Sequence, residues 1–166
     1  MTRAEVPYTG DESALLAAWL DFHRETVHQK CAGVAEADAW RAPLPASPLT
    51  TIGGLVQHLT AVESMWFERV VAGLEVPEHW TAADPDLEWR RRPGEGLAEA
   101  LAAYRAQCDV SRRLVAGLVP DALCAGRRHG SVVSVRWVLL HMIEETARHN
   151  GHLDAVRECV DGVVGD

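Results

Sequence analysis

Four stretches of this chain repeat apolar residues every three or four positions, and that period admits helices with one buried stripe and little else. The first opens at Asp11, a good N-cap, and carries Leu15, Leu16, Trp19, Leu20, His23 and Val27 as far as about Cys31. The second starts behind Thr50 or Thr51 and repeats Leu55, His58, Leu59, Val62, Trp66 and Val70 before Gly73 stops it. The third spans about Leu97 to Leu118, closing ahead of Pro120, and the fourth runs from near Ser134 to about Val160. Two turn-rich stretches, Ala42 to Thr50 and Gly73 to Gly96, interrupt the pattern. The segment SVVSV is β-like only briefly, so strands are marginal at most. The expectation is an all-α fold, a four-helix bundle with a long connection between helices two and three, formed as a single domain over residues 1–166.

Charge and cysteine usage narrow the function classes. A formal charge of −8 argues against nucleic acid and anionic lipid as partners. No apolar run reaches the roughly 18 residues of a membrane span, and MTRAEVPYTGDES lacks the apolar centre of a signal peptide, so the expected location is cytoplasmic. Cys31, Cys108, Cys124 and Cys159 form no CxxC pair, which excludes a zinc knuckle or redox dithiol and leaves mostly buried thiols. Arg90, Arg91 and Arg92 read as a solvated linker. Apolar positions on helices one and three are compatible with a homodimer without specifying one.

The chemistry concentrates on the fourth helix. With His141 at zero, about 100° per residue places Glu145 near 40°, His149 near 80° and His152 near 20°. This polar row shares its arc with Val138, Met142, Leu153 and Val156, whereas Glu144, Asn150, Asp154 and Glu158 fall opposite. Burying a carboxylate and three imidazoles among apolar neighbours costs several kcal/mol unless they share a partner, and a divalent ion satisfies them together. Glu145 and His149, four residues apart, can converge on one ion. A third ligand must come from another helix, and His58 stands among the apolar positions of helix two. Gly53 and Gly54 beside it predict a close approach by a helix backbone or a ligand. His23, His28, His79 and His129 are expected at the surface or behind the ligands.

The segments TTIGGLVQHLTAVESMWFERVVAG and SVRWVLLHMIEETARHNGHLDAVRE resemble the DinB-like superfamily of metal-binding four-helix bundles, within it the branch related to mycothiol-dependent maleylpyruvate isomerase and thiol S-transferases. The resemblance covers most of the chain. It implies a divalent ion, commonly zinc or nickel, held by a helix-two histidine and two helix-four residues spaced by four. Carried over, the ligands are His58, Glu145 and His149, with His141 or His152 as alternatives to Glu145.

The kinship further implies a metal-dependent transferase or isomerase in which the ion activates a small thiol of the mycothiol type toward an electrophilic substrate. His152 and His141 would orient a ligand or move a proton, and Arg148, at about 340° on the same wheel, would attract an anionic group of the cofactor. Metal-dependent hydrolysis and a non-catalytic, metal-stapled bundle are the competing readings.

Overall fold

A computed structural model describes residues 3–165. Helix α1 spans Glu12–Cys31, a short turn α2 covers Glu36–Ala39, and α3 runs Ile52–Glu63 before continuing as a π-helical segment, Ser64–Val71. A 3₁₀ turn, Leu87–Trp89, lies in the long connection to α4, Leu97–Val115, and α5 is Val135–Asp161. The protein is an all-α four-helix bundle formed by α1, α3 with its π extension, α4 and α5. Among the described residues no helix is long and apolar enough to cross a membrane.

Local chemistry sets the helix ends. Asp11 Oδ1 accepts the Ala14 N–H at 2.9 Å, Thr51 Oγ1 accepts that of Gly54 at 2.9 Å, and Ser134 Oγ accepts that of Trp137 at 3.3 Å. At the far end of α5, Gly162 takes a left-handed φ of 78°, and its N–H donates to Glu158 O. The β-like SVVSV stretch forms only isolated bridges, Leu123 to Ser134 and Arg128 to Ser131, within a loop leading into α5. The N–H groups of Ala125 and Gly126 in that loop donate to Val71 O and Val70 O, pairing carbonyls at the end of the π segment that have no partner within the helix. A Cβ on Gly126 would stand 2.2 Å from Arg69 O, so only glycine permits the approach.

Helix α1 packs along α5, α3 along α4, and α5 also meets α3, so the central part of α5 is covered from two sides. This arrangement overturns one feature of the helical wheel. Asn150, expected on the wet face, is buried and donates from Nδ2 to the His23 carbonyl of α1 at 3.0 Å, whereas His152 is exposed. The apolar core divides into two clusters. One contains Ile52, Leu55, Leu59, Tyr104, Leu153 and Val156; the other contains Leu20, Val62, Trp66, Phe67, Val138 and Met142. Glu145 and His149 lie in chain order between them on α5, and His58 stands beside Leu59 at the end of the first cluster on α3. Cys31, Cys108 and Cys124 are buried thiols as expected, and Cys159 is exposed. Burial pushes the Cys31 thiol up to about 12 and raises Cys108 further still.

The two glycines beside His58 serve neither helix contact nor ligand. A Cβ on Gly53 would meet the Trp40 ring at 2.5 Å, and one on Gly54 would meet Leu49 O at 2.8 Å and Trp89 O at 2.9 Å. Their bare backbone seats the two connections against α3. Gly54→Ala must therefore displace main chain, an overpacking expected to cost about 1–3 kcal/mol in a urea unfolding titration.

Candidate metal centre

His58 reaches the centre from α3, and Glu145 and His149 reach it from successive turns of α5. His58 Nε2 lies 3.3 Å from Glu145 Oε1, and His149 Nε2 lies 3.2 Å from the same oxygen. One ligand atom from each of the three residues falls within 4.8 Å of the others. All three side chains are largely withdrawn from solvent, His149 at 9 % exposure, His58 at 13 % and Glu145 at 15 %. The shared hydrogen bonds, from His149 first and then His58, hold the Glu145 carboxyl well below the usual carboxylate range, so it is ionised and available as a donor.

The residues fit a divalent ion. Two imidazoles and a carboxylate are a donor set suited to zinc and its neighbours, and donors about 2.1 Å from one tetrahedral ion stand roughly 3.4 Å apart, close to the separations found. Each histidine also shows its second ring nitrogen to a polar group. His149 Nδ1 is 3.2 Å from His152 Nδ1, and His58 Nδ1 is 3.4 Å from Glu88 Oε1. The Trp89 ring stacks on His58 with centroids 4.1 Å apart.

His58 and Glu145 form one wall of a cavity of about 410 Å³ completed by Val62, Met65, Trp66, Trp80, Glu88, Arg128 and His141 among others. His141 is held between aromatic rings, stacked on Trp137 at 5.2 Å and tilted against Trp66 at 4.6 Å. Burial, countered in part by Glu145, lowers its proton affinity below the ordinary imidazole range. The Arg128 guanidinium lies 5.3 Å from the Trp66 ring centroid. A larger apolar cavity of about 440 Å³, lined by Leu20, Phe67, Val115 and Leu139, is separate from the metal residues.

The structure thus brings His58, Glu145 and His149 together, puts His152 at the outer edge of His149, and sets His141 on the cavity wall. Arg148 is exposed, ion-paired with Glu144 and outside the lining of that cavity. Glu88, Trp89 and Trp80 were not singled out from sequence. The available signal was two tryptophans and a flanking glutamate in an otherwise polar, proline-containing connection, where large aromatics need an apolar surface to cover.

Compared with known families, residues 15–162 match the family model described as mycothiol S-transferase. The chain belongs to the mycothiol S-transferase family. A comparison with curated proteins gives no match. Membership covers α1 through α5, and the mycothiol S-transferase match therefore contains all three converging residues along with the connection that carries Glu88 and Trp89.

Proposed function

We propose that this protein is a metal-dependent thiol S-transferase that joins a small thiol of the mycothiol type to an electrophilic carbon. The observation that carries the reading is the convergence of His58, Glu145 and His149, the first two on the wall of an open cavity, in a chain of the mycothiol S-transferase family. These three residues would hold a divalent ion, zinc or nickel, and leave coordination free on the cavity side. Such an ion, when bound, supplies Lewis acidity that favours the thiolate form of a coordinated thiol.

The chain's own residues supply the rest. Trp66, Met65 and Val62 give the open cavity an apolar side against which an electrophile can rest. His141, kept uncharged near neutral pH by its burial, is placed to accept or return a proton at the cavity edge. His152 steadies the His149 ring through its Nδ1 edge. The reaction forms a carbon–sulfur bond, with the thiol proton passing to a base and any leaving group taking its electron pair.

The test is incubation of zinc- or nickel-loaded protein with mycothiol and a panel of electrophiles, followed by mass spectrometry of the products. The expected result is a thiol conjugate whose formation stops on chelation. Equal turnover without thiol would replace the reading with hydrolysis.

A further inference from the structure

The carboxylate of Glu88 is a puzzle as it stands. Its side chain is only 8 % exposed, its Oε2 has no hydrogen-bond partner, and the buried Nδ1 of His58 has none either, although 3.4 Å separates that nitrogen from Glu88 Oε1. Two orphaned buried polar groups side by side are costly unless something else in the site uses them.

The opposite edge of the same ring gives the reason. His58 Nε2 faces Glu145 Oε1 at 3.3 Å. A neutral imidazole carries one ring proton, and Glu145 by itself draws that proton to Nε2, the nitrogen a metal needs bare. A carboxylate at Nδ1 draws it the other way. We infer that Glu88 is a positioning residue of the metal centre, accepting the Nδ1 proton of His58 and so freeing Nε2 for the ion.

The inference rests on the metal-site reading given under Proposed function. Glu88 acts through His58 and is not a fourth ligand, because it meets the Nδ1 edge while the converging donors are on the Nε2 side. The 3.4 Å separation is longer than a finished bond, and sites of this kind tighten when loaded. His149 has the same layout, Nε2 toward Glu145 and Nδ1 toward His152. The carboxylate–histidine–metal arrangement is a general device for fixing tautomer and ring orientation. Here the adjacent residue reinforces it. Trp89 lies flat on the His58 ring at an interplanar angle of 14°, and its carbonyl rests against Gly54 one turn earlier on α3. Residues 88 and 89 therefore grip the imidazole by edge and by face.

The test is a zinc titration against a competing chelator for the wild-type protein and for Glu88→Ala, Glu88→Gln and the exposed control Glu75→Ala. It is paired with ¹⁵N NMR of the His58 ring in the metal-free protein. Glu88→Ala is expected to weaken zinc about 10–100-fold and to move the neutral-ring proton toward Nε2. Glu88→Gln, whose amide oxygen still accepts from Nδ1, should fall between, and Glu75→Ala should match wild type. Unchanged affinity and tautomer in Glu88→Ala overturn the proposal. A fall in affinity with an unchanged tautomer overturns it as well, since that reads net charge alone. Should the wild-type protein bind no zinc, the metal reading fails, while the NMR comparison still decides whether Glu88 governs the His58 proton.

Discussion

His149→Ala protein purified without added ion is expected to contain no divalent metal by elemental analysis, and titration should show zinc affinity reduced by well over the roughly 100-fold that loss of an outer-shell partner causes. His149 is the most enclosed of the three converging residues, and its Nε2 shares Glu145 Oε1 with His58. Its removal leaves two donors on different helices and an alanine-sized space between them. The bundle should survive. His149 lies between the two apolar clusters and belongs to neither, so circular dichroism of the variant should keep the wild-type helical signal. Full metal retention in His149→Ala and in the parallel His58→Ala would remove the centre from consideration.

The second large effect concerns stability. Arg24 of α1 donates from Nε and Nη2 to the two Glu63 oxygens at 2.8 and 2.6 Å, with the guanidinium and carboxylate almost wholly buried at 4 % and 1 % exposure. Deleting Glu63 leaves the buried Arg24 guanidinium with Asp21 alone, whose Oδ1 accepts from Nη1 at 3.0 Å. Glu63→Ala should destabilise the fold by about 3–5 kcal/mol in urea unfolding, whereas exchanging both partners for well-packed apolar residues should cost far less. The pair sits where α3 gives way to the π-helical segment. It fixes α1 to the turn at which the helix changes pitch.

The helices were legible because burial writes its period into them. Asp11, Thr51, Ser134 and Gly162 act at the ends of the predicted segments, and the nearness of Glu145 to His149 was readable because four-residue spacing on one helix face survives without tertiary information, whereas His58, on another helix, was joined to them by its apolar neighbours and the family resemblance. What escaped depends on contacts distant in sequence. The end of the π segment is paired by Gly126, more than fifty positions downstream, whose N–H donates to the Val70 carbonyl. Asn150 is buried because α1 supplies the His23 carbonyl, a partner that a wheel of α5 alone does not contain. Glu88 and Trp89 lie in a stretch with no period to read, and their placement depends on bare backbone at Gly54. The basic run Arg90 to Arg92 is a solvated linker as read, with each guanidinium facing an acidic partner: Asp84, Glu36 and Glu95.

The burial of the cysteines has a bearing on self-protection. A protein proposed to bring thiols to electrophiles is exposed to the same electrophiles, and any reactive thiolate of its own would be alkylated in turn. Cys31 and Cys108 are packed into the core and held protonated by that burial, and Cys124 is enclosed beside the second apolar cluster. Only Cys159 meets solvent among the four, near the end of α5 and ten residues past His149, about 15 Å along the helix. The fold thus sets the chain's own thiols apart from the cavity where a borrowed thiol would react.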